Sequence, residues 1–234
     1  MNKIKLLSFD LDDTLWHTAP TIANAERAFY EHLQCNAPAL VAKFDPDALR
    51  EHRWQYLRAN PGLEHYVSKW RIDSLNQALI ESGYGEQSGQ LAAAAYDAFY
   101  QARQQVYFFE HCADILRELS KDYILISLTN GNADITRLPI SKYFHSCFRA
   151  EELGAAKPAA PLFLKALTQA NCHAHESIHI GDNTHDDVAG AKAVGMHAIQ
   201  ARLAENAPEP HPLADQHFDD WRELPKLIQL FNAS

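Results

Sequence analysis

The chain has 234 residues, 47% of them hydrophobic, and a formal net charge of −9 from 21 basic and 30 acidic residues. That size can bury a substantial core in one or two domains. The acidic balance, with no basic stripe, argues against gripping a nucleic-acid backbone over a broad surface, yet leaves room for a small phosphorylated ligand where local cations or a metal offset the field.

Cys35, Cys112, Cys147 and Cys172 show no paired spacing, so buried free thiols in a reducing compartment are expected rather than a disulfide or zinc framework. Lys3 and Lys5 fall inside the first predicted strand with no long apolar run behind them, which does not read as a signal peptide. No apolar stretch approaches the ~20 residues that span a bilayer. A cytoplasmic protein with no membrane partner is the expectation; nothing in the composition speaks to protein partners.

Taken in chain order, Ile4 to Phe9 is a short apolar run of the kind found in a buried parallel strand. It ends in Asp10-Leu11-Asp12-Asp13-Thr14. Ligands of open α/β sheets bind where such strands end, so this spacing delivers a nucleophile or metal ligand and a second acid/base group to that edge. A lone Asp-x-Asp would read as an acidic turn; the later motifs decide otherwise.

Roughly ninety helical residues follow. Ile22, Glu26, Phe29 and Leu33 mark a helix beginning near Pro20. Asp45-Pro46 predicts an N-cap and first helical position for a second helix, which stops at Asn60-Pro61-Gly62. A third carries Val67, Trp70, Leu75 and Leu79 to about Gly83, and a fourth runs from about Ser88 to Val106. Four helices without an intervening strand predict a separate helical unit.

From Glu110 the pattern alternates. Helices are predicted at Cys112–Leu119, Leu162–Ala170, Val188–Val194 (closed by Gly195) and Leu224–Phe231. Strands are predicted at Tyr123–Ser127, Cys147–Ala150, Ile178–Ile180 and Met196–Gln200. Alternation of this kind argues for a doubly wound, Rossmann-like parallel sheet with helices on both faces. The expected architecture is one α/β core, residues 1–16 with 110–234, interrupted by a helical insert at 17–109. Leaving the chain just after Asp10 and Asp12, the insert is expected to act as a lid.

Three later features match the first motif. Thr129, after an apolar strand and before Asn130-Gly131, can hold anionic oxygens with its hydroxyl and the neighbouring N–H groups, although Thr-Asn-Gly alone reads as a turn. Lys157 precedes a helix start and alone reads as a solvated surface lysine. Asp182 follows Gly181 at a strand end where no cap is needed, whereas Asp186 and Asp187 resemble ordinary helix caps.

In order, Asp10-Leu11-Asp12-Asp13-Thr14, Thr129, Lys157 and Gly181-Asp182 with Asp187 resemble the signature of the haloacid dehalogenase-like hydrolases, and the helical insert looks like that family's C1-type cap. The resemblance implies that Asp10 attacks phosphorus to form an aspartyl-phosphate and that Asp12 acts as acid, then base. It also implies an Mg²⁺ ion held by Asp10, Asp182 and the main-chain oxygen of Asp12. Thr129, Asn130 and Lys157 would bind the substrate phosphate. Asp187 would support Lys157 or a metal-bound water, with Asp186 as its competitor.

Within the family, Asp12 argues against dehalogenation, because a halide leaves without a proton. A cap lysine forming a Schiff base is not evident at Lys43 or Lys69. Hydrolysis of a small phosphomonoester is the expected reaction; a phosphomutase, or a non-enzymatic module keeping the fold, are the alternatives. Phe9 to Trp16, Trp70 to Leu75 and Thr129 to Ala133 are similar to bacterial phosphatases acting on 5-amino-6-(5-phosphoribitylamino)uracil, a riboflavin-pathway compound, and to others acting on flavin mononucleotide or sugar phosphates.

In the insert, Trp54, Tyr56, His65, Tyr66, Trp70 and Arg71 are candidates to meet the leaving group. The plainer expectation is packing for Trp54 and Trp70, a salt bridge or surface role for Arg71 and exposure for His65. His173, His175 and His179 lack metal-ligand spacing and are expected to face solvent.

Overall fold

A computed structural model gives the structure of residues 3–233. The elements run β1 (Leu6–Phe9), then α1 (Thr18–Asn36), α2 (Pro38–Lys43), α3 (Pro46–Ala59), α4 (Val67–Glu81) and α5 (Ser88–Arg103). After these come α6 (Cys112–Leu119), β2 (Ile124–Thr129), β3 (Ser146–Arg149), α7 (Ala150–Leu153), α8 (Pro161–Ala170) and β4 (Ser177–Gly181). The chain closes with α9 (Gly190–Ala193), β5 (His197–Ala201), β6 (Gln216–Phe218) and α10 (Leu224–Ala233).

The six strands described form one sheet in the order β3-β2-β1-β4-β5-β6, and every pair is parallel. It is an α/β, Rossmann-like, doubly wound sheet. The winding reverses at β1, and the carboxyl ends of β1 and β4 flank the crevice where such sheets take ligands. Alternation along each strand sorts the side chains. Leu7, Phe9, Ile178 and Ile180 face one core with Leu116 of α6 and Ile228 of α10. Leu6, Ile126 and Leu128 face the other, with Phe163 of α8 and Ala191 of α9.

The chain divides into two compact units, Met1–Thr18 with Val106–Ser234, and Ala19–Gln105. The second has its own core, in which Leu33, Leu40, Leu49, Leu75 and Leu79 are buried. Asp45 caps α3 as its sequence indicates, accepting the Ala48 N–H at 2.7 Å. Glu26 of α1 accepts from Arg53 of α3 and Arg71 of α4, at 2.7 and 2.8 Å. Trp70 is buried in this unit, and Arg71 is salt-bridged as expected. Trp54, expected to pack, is instead 46% exposed, with one face against Trp70 at 5.6 Å.

Several elements differ from those the sequence predicts. The short α2 falls in a stretch to which the sequence assigns no element, because six residues give too few turns for a 3.6-residue period to register. The fourth insert helix ends at Arg103 rather than Val106. The last strand pair is β5–β6, and β6 has only three residues, Gln216–Phe218, too short and polar to signal itself. The helix expected at Val188–Val194 begins earlier, as a π-helical turn over Thr184–Ala189 that leads into α9. Asn183 starts it by accepting the N–H groups of His185 and Asp186 at 3.0 and 2.9 Å. Cys35, expected to be buried, is exposed. Among the described residues no helix is long and apolar enough to cross a membrane.

Candidate active site

Three parallel strands deliver the site. Asp10 extends the β1–β4 ladder, its N–H donating to Ile180 O at 2.8 Å, so its carboxyl leaves the sheet where β1 ends. Thr129 closes β2 and Gly181 closes β4, one step before Asp182. The chain after Asp10 folds back tightly, with Leu15 N–H donating to Leu11 O at 2.8 Å and Asp13 at φ 56°. Aspartate tolerates that left-handed conformation better than most residues. Asp13 also accepts the Thr18 N–H at 2.9 Å, which ties down the exit into α1.

Lys157 is the hub. Only 3% exposed, its ammonium donates to Asp10 Oδ1 at 2.6 Å, Asp187 Oδ1 at 2.6 Å and Leu128 O at 2.8 Å. All three protons of the ammonium thus have acceptors. Burial would lower the Lys157 pKa, but the charges of Asp10 and Asp187 outweigh it and hold the pKa above its ordinary value. The surface-lysine alternative is wrong for this residue, since the loop between α7 and α8 turns inward here. That loop is stapled by Asn130, whose side chain accepts the Lys157 N–H at 2.7 Å and donates to Lys157 O at 2.9 Å.

The four carboxylates near Lys157 divide by environment. Burial pushes the Asp10 pKa well up, Lys157 pulls it back, and the charges of Asp187 and Asp182 raise it again. Asp182 is pushed up to about 7 by burial and by the Asp187 charge, against a 3.1 Å hydrogen bond from Thr14. Asp187 goes the other way: burial opposes ionisation, but Lys157 and His179 hold its carboxyl below the usual range. Its second oxygen accepts the Asn183 N–H at 3.0 Å. Of the two aspartates weighed for the Lys157 partner, Asp187 meets the ammonium, while Asp186 accepts from Asn130 at 3.1 Å.

Asp12 sits apart from that cluster. Its carboxylate accepts the Trp16 indole N–H at 2.9 Å and the Thr18 hydroxyl at 3.4 Å. Thr129 is 2% exposed, and its hydroxyl oxygen accepts the Gly131 N–H at 3.0 Å. A Cβ at Gly131 would stand 3.0 Å from an Asp12 carboxylate oxygen, and one at Gly181 would overlap the Asp187 carboxyl. Glycine at both positions therefore lets acid groups approach the main chain. Asp10, Asp12, Thr129, Asn130, Lys157 and Asp182 border one cavity of about 200 Å³.

Asp10, Asp182 and Asp187 each offer an oxygen within 4.8 Å of the others. Burial raises the Asp10 and Asp182 pKa values, and three carboxylates served by one ammonium leave negative charge that raises them further. The donors are hard oxygens at a strand edge, a set that suits a hard divalent cation. Asp187 already serves three donors, which leaves Asp10 and Asp182 as the oxygens able to turn toward a cation.

Two residues at the site depart from expectation or carry no signal of their own. His179 is 1% exposed and buried under α8, not solvent-facing: a central strand of a parallel sheet is covered on both faces, so Ile178-His179-Ile180 carries the signal for burial. Trp16 stands four residues from Asp12 in the folded-back loop, and only that turn puts its indole against the carboxylate. His173 and His175 are exposed, as expected.

Haloacid dehalogenase-like hydrolases match residues 4–195 of the chain. The chain belongs to this family. It is 33% identical over 203 residues to the 5-amino-6-(5-phospho-D-ribitylamino)uracil phosphatase YigB of Escherichia coli (strain K12), covering 86% of this chain and 85% of that one. Phosphoserine phosphatase of Thermus thermophilus is 28% identical, over 94% of this chain and 98% of its own. A crystal structure described as the 2-haloacid dehalogenase from Pseudomonas syringae pv. Tomato DC3000 superposes with a TM-score of 0.91 at 38% identity, covering 97% and 99% of the two chains.

Proposed function

We propose that the protein is a Mg²⁺-dependent phosphatase that hydrolyses a small phosphomonoester through an aspartyl-phosphate on Asp10. It is a phosphoric monoester hydrolase; the family match and the two phosphatases among its relatives support that class. The catalytic core is residues 1–16 with 110–234, and residues 17–109 are the helical cap inserted after the first strand.

One observation carries the reading. A buried ammonium bridges Asp10 to Asp187 while a second carboxyl, Asp12, stands apart and partly open, gripped by Trp16. Two carboxyls in different surroundings suit different tasks. Asp10 attacks phosphorus in line; the P–O bond to the leaving alkoxide breaks, and Asp12 gives that oxygen its proton. Asp12 then takes a proton from water, whose oxygen attacks phosphorus and releases the Asp10 carboxylate and phosphate. Lys157 and the Thr129 hydroxyl hold the phosphoryl oxygens. Asn130 ties its amide to the Lys157 loop, so its contribution to the phosphate is through its main-chain N–H. Asp10, Asp182 and the Asp12 carbonyl would hold Mg²⁺, which when bound screens the repulsion between carboxylate and phosphate.

The dehalogenase likeness supports a second reading, in which Asp10 displaces halide from a 2-halo acid. Asp12 weighs against it, since halide needs no general acid, and so does the acidic pair Asp10 and Asp182. Among phosphate esters, 5-amino-6-(5-phosphoribitylamino)uracil is the first substrate to try, ahead of flavin mononucleotide, sugar phosphates and phosphoserine.

The test is a purified-protein assay on that panel and on p-nitrophenyl phosphate, with and without chelator, beside halide release from a 2-chloro acid. Metal-dependent phosphate release that Asp10→Asn abolishes, with a phosphoryl adduct on Asp10 in the wild type, is expected. Halide release without phosphate release would overturn the reading in favour of the dehalogenase, and no turnover at all would favour a binding module.

A further inference from the structure

The phosphoryl-transfer steps leave one buried group unused. Ser8 and His179 are register partners across β1 and β4, on the sheet face under α8. Ser8 Oγ lies 2.8 Å from His179 Nδ1, and His179 Nε2 lies 3.0 Å from Asp187 Oδ1. Ser8 is 0% exposed and His179 1%, and the Phe163 ring stands edge-on to the imidazole at 5.1 Å. The ring therefore has a fixed orientation and is shut off from bulk solvent.

Chemistry sets the direction of these bonds. Asp187 is ionised, since it accepts from the Lys157 ammonium and the Asn183 N–H, so His179 Nε2 must donate to it. Burial and the Lys157 charge favour the neutral ring, although Asp187 opposes them. In a neutral ring that donates at Nε2, Nδ1 is an acceptor, and Ser8 supplies the proton. The competing arrangement is an imidazolium, with Ser8 turning its own proton to Ile178 O at 3.5 Å, the outer limit of a hydrogen bond.

We propose that His179, held by Ser8 as the Nε2–H tautomer, is a positioning residue that fixes the Asp187 carboxylate and through it aims the Lys157 ammonium at Asp10. Asp187 Oδ1 takes two donors, His179 and Lys157, from different directions. With His179 gone, Oδ1 is held by Lys157 alone, and the carboxylate can turn toward it about the Oδ2 bond to the Asn183 N–H. The ammonium has no proton to spare, so any swing toward Asp187 weakens its bond to Asp10. The kinetic part of this inference rests on the phosphatase reading; the tautomer does not.

The first measurement is the long-range ¹H–¹⁵N spectrum of the His179 ring in the whole, ¹⁵N-labelled protein. The expected signature is a protonated Nε2 and an unprotonated, hydrogen-bonded Nδ1 at neutral pH; an Nδ1–H tautomer or an imidazolium overturns the proposal. The second pairs His179→Leu with His179→Gln, whose amide can still donate to Asp187. Leucine is expected to lower kcat about 10- to 100-fold at a nearly unchanged KM, and glutamine to restore most of it. Full activity in a folded His179→Leu protein, or equal loss in both variants, overturns it.

Should His179→Leu fail to fold, Ser8→Ala serves instead. It is expected to release the tautomer into a mixture and to lower kcat several-fold; an unchanged spectrum and kcat overturn the proposal. A protein inert toward every phosphate ester, yet showing the Nε2–H ring, would sink the reaction reading and uphold the Ser8–His179–Asp187 assignment.

Discussion

Trp16 donates its indole N–H to Asp12 Oδ1 at 2.9 Å, so the proposed acid/base is held by a side chain that is itself wholly buried. Trp16→Phe keeps a ring against Phe108 while removing the donor and part of the buried indole volume. Losing one such bond is worth about 1–1.5 kcal/mol, which makes kcat fall roughly tenfold. Asp12→Asn, which removes the acid and base outright, should cost about 10²–10⁴-fold. Steady-state kinetics on a phosphate ester separates the two.

Gly181 lets the Asp187 carboxyl lie against the main chain, where a methyl group would overlap it. Gly181→Ala must therefore displace Asp187 and with it the Lys157 ammonium. Overpacking of this kind costs about 1–3 kcal/mol, read as a lowered Tm, and the turnover loss should exceed what that stability change explains.

Lys157 places one ammonium between the buried carboxylates of Asp10 and Asp187. Lys157→Met strands two like charges and should destabilise the protein by about 3–5 kcal/mol at neutral pH. Burial already raises the Asp10 pKa with the ammonium present. Without it, protonating Asp10 on acidification should recover part of the lost stability. Urea unfolding at neutral and at mildly acidic pH checks both the size and the direction.

Burial and the Asp187 charge push the Asp182 carboxyl up to about 7 in the folded protein, against an ordinary 3.8. Between those values the folded state keeps a proton that the unfolded chain gives up. Metal-free protein should thus lose stability as pH rises from about 4 to 7. A divalent cation needs the ionised carboxylate, so the Tm gain on adding Mg²⁺ should be larger at about pH 8 than at about pH 5.5. Thermal melts across pH, with Mg²⁺ or chelator, give the result.

Glu26 joins Arg53 and Arg71 within the helical insert, and the two guanidinium groups hold it at about 2 despite partial burial. Its depressed pKa contributes stability above the ordinary carboxylate range, lost as pH falls through about 2. Glu26→Gln leaves two arginines crowded at one spot and should destabilise by about 2 kcal/mol, less than a fully buried pair because water still reaches Glu26. Chemical denaturation of the variant at neutral pH measures it.

Most of the sheet is legible in the sequence because its strands are buried on both faces. Ile4 to Phe9, Tyr123 to Ser127 and Ile178 to Ile180 therefore read as apolar runs, and motifs at their ends can be assigned to one edge. What escapes has weak local signals: α2 is too short for its period, β6 too polar, and the turn at Thr184 depends on an Asn183 side chain capping two N–H groups. His179 defies its expectation because histidine is commonly exposed, whereas strand neighbours, not residue type, decide its burial.

By itself the sequence determined the class of fold and the cast of acidic residues, since apolar periodicity and motif order are properties of neighbours along the chain. Only the tertiary structure decided how those residues share one charge. Lys157 chooses Asp187 over Asp186, Asn130 grips the Lys157 loop, and Trp16 holds Asp12. Each choice is a hydrogen bond set by where strands and loops end in space, and pairings between residues as many as 171 positions apart, as for Ser8 and His179, leave no periodic trace along the chain.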